Sequence, residues 1–294
     1  MATTNLRKRH LKDPQIRVRP SGQACGAEVT GVDLSAALDA SQSAEIRGAW
    51  LEHHVLSFPD QDMTDDDLER FTGCFGGFGH DPFFDPIPGR QHIAAIKREA
   101  DEKSPLFAEN WHSDWSFQKH PPAGTCLLGI TIPPTGGDTL FANQHAALDA
   151  MPPDMRAKYE ELTAIHSAQM AYAPDGAYGD KDVERSMAIR PDESARETQL
   201  HPLVRTHPET GQPGLFSCMG YIIGFEGVDQ QDALPLLTEL YAWQSQDEFV
   251  YRHKWQPNML VMWDNRSVLH CATGGYEGHD RLLHRTTIAA HGVS

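Results

Sequence analysis

Trp111-His112-Ser113-Asp114-Trp115-Ser116-Phe117 is the stretch of this chain from which its fold and chemistry can be worked out. Side chains two residues apart project to the same face of an extended strand, so His112 and Asp114 would converge on one metal ion there. A helix would point them apart. A single His-x-Asp pair is weak, because most such pairs are a solvated loop histidine beside a turn aspartate. The companions of the pair must therefore decide its role.

A second stretch, residues 263–270 with the sequence WDNRSVLH, ends on another candidate ligand, His270. Two histidines and one carboxylate, with further coordination positions left open, form the set that suits non-haem Fe(II) and O₂. The two stretches therefore make His112, Asp114 and His270 candidate ligands of one metal ion.

Composition limits the classes of partner. A net charge of −16 in 294 residues argues against a nucleic-acid or anionic-membrane partner, which would require a basic face. It does not exclude a local basic pocket for a small anion. Five scattered cysteines without a C-x-x-C pair indicate free thiols in a reducing compartment. With no long apolar run and no signal-peptide pattern, we expect a soluble, cytoplasmic protein.

Short strand patterns with Gly/Pro turns and a few peripheral helices predict one mainly β domain over residues 16–294, after a flexible basic tail at 1–15. The predicted helices are 41–53, one capped by Thr64, 144–150, 154–162 and 229–244. The predicted strands include 16–19, 55–58, 91–97, 125–132, 139–141, 202–204, 215–216, 259–263 and 282–288, with a hairpin turn at 208–211. Residues 76–110 are interpreted as a loop over a site, and residues 173–199 as a surface excursion.

Several motifs occur in one order along the chain, and together they resemble the taurine dioxygenase / 2,4-D dioxygenase family of Fe(II)- and 2-oxoglutarate-dependent oxygenases. The motifs are His112-x-Asp114, Thr135-Gly-Gly-Asp-Thr139, His201-Pro-Leu-Val, Thr206-His-Pro, Trp263-Asp-Asn-Arg, His270, Arg281 and Arg285. The resemblance covers residues 16–288, nearly the whole chain. It implies a double-stranded β-helix (jelly-roll) core with the metal between its two sheets.

The resemblance also implies roles for individual residues. His112, Asp114 and His270 would bind Fe(II), and Thr139 and Arg281 would hold the distal carboxylate of 2-oxoglutarate. A planar guanidinium can grip a carboxylate with two parallel hydrogen bonds, which supports this assignment. The cosubstrates would be 2-oxoglutarate and O₂. The residues expected to contact substrate are Arg285, Phe84, Tyr172 and Tyr221.

The substrate cannot be carried over directly. The positions that would contact taurine in taurine dioxygenase correspond here to Asp81, Phe84, Ala108, Tyr172 and Tyr221. An acid at the first of these argues against taurine, while Arg285 favours an organic anion. We therefore expect hydroxylation of a small carboxylate, sulfonate or sulfate ester, with C–O or C–S cleavage where the oxidised carbon bears that atom.

Other interpretations stay open. The same triad would also serve a divalent-metal hydrolase, and the same fold a non-catalytic small-acid binder. Arg281 and Arg285 could be strand-edge charges paired with Asp280 or Glu277, and Thr139 a plain strand residue. Trp263 is predicted to be core, while Arg266 has no predicted role. Relatives of this kind imply a homo-oligomer, either a dimer or a tetramer.

Overall fold

A computed structural model describes residues 15–290. These residues form fifteen strands and six α-helices. The strands are β1 (Arg17–Pro20), β2 (Ala27–Thr30), β3 (Val55–Phe58), β4 (Ala94–Arg98), β5 (Gly124–Thr131), β6 (Thr139–Asn143), β7 (Thr163–Ser167), β8 (Thr198–Pro202), β9 (Val204–Thr206), β10 (Pro213–Leu215), β11 (Ile222–Phe225), β12 (Val250–His253), β13 (Leu260–Asp264), β14 (Val268–Ala272) and β15 (Arg281–Ile288). The helices are α1 (Ala40–His53), α2 (Asp65–Gly73), α3 (Gln144–Asp149), α4 (Pro153–Tyr159), α5 (Gln169–Tyr172) and α6 (Gln230–Gln244). The prediction of a mainly β chain with peripheral helices is confirmed.

Two sheets enclose the centre of the molecule. The larger sheet has seven strands in the order β1-β2-β3-β13-β5-β15-β4, and only β2 and β3 pair in parallel. A three-stranded antiparallel sheet, β12-β6-β14, packs on it. Phe141 and Val268 of the small sheet share one buried cluster with Leu127, Val261 and Trp263 of the large sheet. This packing places β14, and with it His270, against the inner face of the large sheet.

The opposite face of the large sheet is covered by α1 and α2. Leu56, Leu128 and Met262 alternate with the inward-facing residues of their strands and pack against Ile46 of α1 and Phe71 of α2. Alternation of this kind follows from the pleat of a strand, whose successive side chains point to opposite faces. Both faces of the large sheet are therefore buried at its centre, which explains why β3, β5 and β13 are mostly apolar.

Helix α2 begins with an acidic run, and Thr64 caps it as predicted. The Thr64 hydroxyl accepts a hydrogen bond from the N–H of Asp67, and the Asp67 carboxylate accepts one from the N–H of Thr64. Three acidic residues, 65–67, occupy the first turn, where the positive end of the helix dipole favours negative charge.

A second lobe is built from the remaining elements. The sheet β11-β7-β8 and the hairpin β9–β10 pack with α3 and α6 around their own apolar cluster. The predicted turn at 208–211 is confirmed, because β9 and β10 pair antiparallel on either side of it. The predicted strand at 202–204 is two strands that separate at Leu203.

Other boundaries differ from the predictions. The helix predicted to reach residue 162 ends at Tyr159, because Thr163 already begins β7. The strand predicted at 91–97 is β4, Ala94–Arg98, which pairs with β15. The predicted flexible tail, residues 1–15, lies outside the described residues except for residue 15. In the described range, none of the helices combines the length and apolar character required to cross a membrane.

Candidate active site

Three buried side chains meet between the two sheets: His112, Asp114 and His270. Their candidate ligand atoms all lie within 4.8 Å of one another. Nε2 of His112 is 3.8 Å, and Nε2 of His270 is 3.7 Å, from Oδ1 of Asp114. Over residues 15–290, no other three His, Cys, Asp or Glu side chains converge closely enough to share a metal ion.

The backbone holds the two histidines opposite each other. The N–H of His112 donates to the carbonyl of His270 at 2.9 Å, and the reverse hydrogen bond measures 2.8 Å. Asp114 then lies at the start of a turn, and Trp115 has a left-handed φ of 49°. The prediction that His112 and Asp114 share an extended strand is therefore wrong. The chain is extended only at the bridge, and the turn directs the carboxylate to the imidazoles.

Asp114 is held by a chain of hydrogen bonds that the sequence pattern did not indicate. The Thr125 hydroxyl donates to its Oδ2 at 2.6 Å, and Nδ2 of Asn265 donates to the Thr125 oxygen at 2.9 Å. Nε1 of Trp263 in turn donates to Oδ1 of Asn265 at 2.9 Å. Trp263 is buried as predicted and Asn265 is buried too, and these hydrogen bonds leave Oδ1 of Asp114 facing the two imidazoles.

Both imidazoles are neutral near pH 7. Burial lowers the pKa of His112, and burial together with the neighbouring His112 lowers the pKa of His270 to about 3. Burial raises the pKa of Asp114, but His270, Arg285 and His112 and the hydrogen bond from Thr125 together outweigh it, so the net pKa is lowered. Nδ1 of His112 lies 2.8 Å from the Asn110 carbonyl and donates to it, which leaves Nε2 as the free lone pair. Two neutral imidazoles and one ionised carboxylate fit divalent iron.

Thr139 and Arg281 line the same cavity as the three candidate ligands. Nε1 of Trp255 donates to the Thr139 hydroxyl at 3.0 Å, and Nη2 of Arg281 donates to the Gly137 carbonyl at 3.3 Å. Burial lowers the pKa of Arg281, and no carboxylate of the described chain acts on it to offset this. A buried guanidinium without a counter-ion is a ready site for an anion.

A tight turn of two glycines lies against Arg281. Gly136 and Gly137 have φ of +70° and +68°, a region that favours glycine. A Cβ at position 136 would lie 2.4 Å from the Gly275 carbonyl oxygen, and one at position 137 would lie 3.2 Å from Nε of Arg281. The Gly-Gly pair in the predicted motif is therefore required by geometry.

Arg285, four residues further along β15, has a different environment. Its Nη2 donates to Oδ2 of Asp81 at 2.9 Å, and Nε1 of Trp115 donates to Oδ1 of the same carboxylate at 2.5 Å. The guanidinium lies 4.6 Å from the ring centre of Phe84 and 5.1 Å from that of Trp115. Burial lowers the pKa of Arg285, but Asp81 and Asp114 outweigh it and raise the pKa above its ordinary value.

The alternative pairing of these arginines at the strand edge is wrong. Asp280 accepts a hydrogen bond from the N–H of Ala100 at 2.8 Å, and Glu277 accepts one from the N–H of Gly275 at 3.4 Å. The acid that does reach Arg285 is Asp81, from a loop about two hundred residues earlier. Spacing along the chain could not reveal this contact.

The remaining predicted substrate residues are buried aromatics: Phe84, Tyr172 and Tyr221. Phe84 packs on Arg285, whereas the two tyrosines line a second cavity that shares His112 with the first. Sequence reasoning missed most of the other lining side chains of this second cavity, which include Phe107, Met170, Tyr178, Met219 and Tyr241. Helix α5 carries Tyr172, and the turn before β11 carries Tyr221.

Residues 173–199 are more than the predicted surface excursion. Arg185 and Met187 line the first cavity, and the Arg185 side chain is only 3% exposed. Arg185 is neutralised by Asp182 and, at 3.8 Å, by Glu102. Charged side chains that neutralise one another can be buried, so a polar composition misled the prediction.

Arg266, for which no role was predicted, braces the turn between β13 and β14. Its guanidinium donates to Oδ2 of Asp264 at 2.7 Å and to Oε1 of Glu209 at 2.6 Å. Nε2 of His207 lies 3.1 Å from the same Asp264 oxygen. The network fixes the turn that carries Asn265, and His207 is a structural hydrogen-bonding residue.

Comparison with known sequences gives one family. The sequence profile described as "Taurine catabolism dioxygenase TauD, TfdA family" matches residues 17–287. An alkylsulfatase of Acinetobacter baylyi is 33% identical over 291 residues, which cover 95% of this chain and 88% of that protein. An alpha-ketoglutarate-dependent 2,4-dichlorophenoxyacetate dioxygenase of Cupriavidus pinatubonensis is 35% identical over 259 residues, covering 83% of this chain and 87% of that one.

Comparison with solved structures agrees. A taurine dioxygenase from Burkholderia xenovorans superposes with a TM-score of 0.77 at 31% identity, covering 94% of this chain and 92% of that chain. The similarity therefore extends over both sheets and the cavity between them.

Proposed function

The chain belongs to the taurine catabolism dioxygenase TauD, TfdA family, and from that premise we propose which of its residues bind metal, cosubstrate and substrate. It is a 2-oxoglutarate-dependent dioxygenase, an oxidoreductase that consumes 2-oxoglutarate and O₂, like its relatives. The observation that carries the assignment of residues is one cavity lined by the His/Asp/His group and by a buried arginine without a counter-ion.

We assign Fe(II) to His112, Asp114 and His270. Their donor set supports this, because two neutral imidazoles and a carboxylate on one side of an ion leave positions for a keto acid and O₂. When bound, iron would supply the activation of O₂ that couples oxidation of 2-oxoglutarate to oxidation of substrate. The chain's own contribution is to fix Oδ1 of Asp114 through Thr125 and to keep Nε2 of His112 unprotonated.

Thr139 and Arg281 are proposed to bind the distal carboxylate of 2-oxoglutarate. Arg281 offers donors that the Gly137 carbonyl only partly occupies, and its Nε lacks a partner within the described part of the chain. The Trp255 indole already donates to Thr139, so the Thr139 hydroxyl hydrogen is left to donate to an anion. A carboxylate here would neutralise a buried charge.

The substrate is proposed to be a small organic anion, with Arg285, Phe84, Tyr172 and Tyr221 around it. Named relatives act on 2,4-dichlorophenoxyacetate, (S)-phenoxypropionate and sulfate esters, which supports a carboxylate, sulfonate or sulfate ester. The aromatic walls would hold its apolar body and orient one C–H bond. Hydroxylation at a carbon that bears oxygen or sulfur would be followed by C–O or C–S cleavage.

Three further features complete the proposal. The two packed sheets are assigned to a double-stranded β-helix (jelly-roll) core within a single domain over residues 16–294. The chain is proposed to form a dimer or tetramer, which light scattering would test. A cytoplasmic location, with no nucleic-acid or membrane partner, is supported by the negative net charge and by five free cysteines, four of them buried.

The first experiment is anaerobic. Fe(II) and then 2-oxoglutarate are added to purified protein, and a visible metal-to-ligand charge-transfer band is expected once the keto acid chelates the metal. His112→Ala should abolish the band, whereas His201→Gln, at a buried histidine that is not a candidate ligand, should retain it. A folded, iron-loaded wild type without the band would contradict the proposal and favour a divalent-metal hydrolase or a non-catalytic small-acid binder.

A further inference from the structure

Arg285 already has an anion in the structure, and that anion belongs to the protein. Asp81 accepts a hydrogen bond from Nη2 of Arg285 at 2.9 Å, and the two side chains are 16% and 5% exposed. Arg281, on the same strand, has no carboxylate partner within the described residues. The two guanidinium groups of this cavity therefore differ before any ligand binds, because a protein carboxylate neutralises Arg285 but not Arg281.

The ion pair is firmly built. Trp115 donates its indole N–H to the second oxygen of Asp81, so both carboxylate oxygens are occupied. The loop is attached close by, because the N–H of Gly79 donates to the carbonyl of Thr287 on β15 at 3.0 Å. A Cβ at position 79 would lie 2.6 Å from the Thr287 hydroxyl, so loop and strand are in direct contact. Movement of Asp81 away from Arg285 is therefore expected to involve the side chain alone.

Asp81 also has a place to go. It lines another cavity, whose lining includes His80 and Arg190 but none of the candidate ligands. A carboxylate that rotates into this cavity would face solvent, and Arg190 there is already neutralised by Asp85 at 3.0 Å. The cost of releasing Asp81 is therefore much lower than that of stranding a fully buried charge.

We propose that Asp81 is a specificity-determining residue that competes with the substrate's anionic group for Arg285. This inference rests on the proposed function and names what selects its substrate. Nε of Arg285 has no partner within the described residues, so an acid at Arg285 either displaces the Asp81 carboxylate or binds beside it against its negative charge, whereas an uncharged polar group can bind beside the intact pair. Asp81 thus weakens the preference for anions that Arg285 alone would give.

The test compares charge preference in matched variants. Full-length protein loaded with redox-inert Mn(II) is titrated calorimetrically with phenoxyacetate and with phenoxyacetamide, which differ mainly in charge. Asp81→Asn removes the competing charge, and Asp81→Ala is a second variant in case the amide perturbs Trp115. Asp85→Asn is the control, because it removes the same charge from the same loop. Asp85 pairs with Arg190 at the surface, not with Arg285.

Asp81→Asn and Asp81→Ala are expected to tighten phenoxyacetate binding by about 10-fold, a change of about 1.4 kcal/mol, and to leave phenoxyacetamide within about 2-fold. Asp85→Asn should change neither. An unchanged ratio of the two dissociation constants would overturn the proposal, as would a lower melting temperature without tighter acid binding, which would mark a merely structural pair. Titrations with and without N-oxalylglycine, an analogue of 2-oxoglutarate, separate the role of Asp81 from the proposed function. Failure to bind N-oxalylglycine would count against the proposed function, whereas the ratio of the two dissociation constants decides the role of Asp81.

Discussion

Arg281 and Arg285 lie four residues apart on β15, are both buried and line one cavity, but their electrostatic environments are opposite. Arg281 faces a glycine turn and a carbonyl oxygen, and burial lowers its pKa. Arg285 faces Asp81 and Asp114, which raise its pKa despite burial. The difference teaches that equal spacing and burial on a strand do not give two arginines the same role. The loops opposite them decide whether an external anion is needed.

The cross-strand neighbour of Arg281 makes this contrast sharper. Arg98 lies opposite Arg281 in the β4–β15 register, where two like charges are unfavourable. Arg98 is instead neutralised by Glu102 at 3.3 Å and donates to the Ser104 carbonyl at 2.9 Å. Arg281 thus keeps an uncompensated charge even though an acid lies on the same cavity wall.

Arg281→Gln is expected to have the largest effect on the contrast between the two arginines. Loss of the uncompensated guanidinium should weaken 2-oxoglutarate binding by about 100-fold or more. The melting temperature of the ligand-free protein should stay the same or rise, because a buried unpaired charge is removed. Calorimetry with N-oxalylglycine and thermal unfolding check the two parts. Retained affinity would show that Arg281 does not hold the cosubstrate.

Arg285→Gln should lower the stability of the protein and leave 2-oxoglutarate binding nearly unchanged. It leaves the Asp81 carboxylate with only the Trp115 indole, so the free energy of unfolding should fall by about 2 kcal/mol. The dissociation constant of N-oxalylglycine should change by less than about 3-fold, since Arg281 is intact. Denaturant unfolding and calorimetry measure these. A large loss of N-oxalylglycine affinity would mean that the two arginine roles are reversed.

The pH dependence of stability tests the part of the cavity around Arg281 and Thr139, through the buried side chain of His253. This side chain lies in register opposite Thr139, and burial lowers its pKa to about 4 despite the nearby Asp138. The unfolded chain takes up a proton near pH 6.5 that the folded chain resists, so stability falls as pH drops from about 6.5 to 4. His253→Gln should reduce this loss by about 1–2 kcal/mol relative to wild type. Urea unfolding at several pH values measures it, and an unchanged slope, equal to that of the exposed His120→Gln, would contradict it.

The smallest expected effect comes from Trp255→Phe. It removes the indole donor that fixes the Thr139 hydroxyl, and a single hydrogen bond of this kind contributes about 1 kcal/mol. Affinity for 2-oxoglutarate should therefore fall by about 5-fold. Trp243→Phe, whose indole donates to the remote Ala147 carbonyl, is the control. Equal affinities in both variants would remove Thr139 from the proposed carboxylate site.

Much of the fold followed from local patterns. Three local features were predictable: the helix that begins after Thr64, the hairpin at 208–211 and the buried strand Val55–Phe58. Each depends on capping residues, turn residues or an apolar run within a few positions of the chain. The end of α4 was missed, because the pairing of β7 with β8 and β11 competes with helix propensity there. Residues 173–199 were misjudged, because the ion pairs of Arg185 make a polar segment suitable for burial.

By itself, the sequence determined the chemistry: which histidines, acid and arginines are present, in which order, and the glycine turn that only glycine can form. Only the tertiary structure decided how these groups are charged and held. Asp114 is directed by a turn and fixed by Thr125, and Asp81 reaches Arg285 across about two hundred residues. The physical reason is range. Turns, caps and side-chain alternation depend on neighbours in the chain, whereas the pKa and the counter-ion of a buried group depend on whatever the fold packs against it.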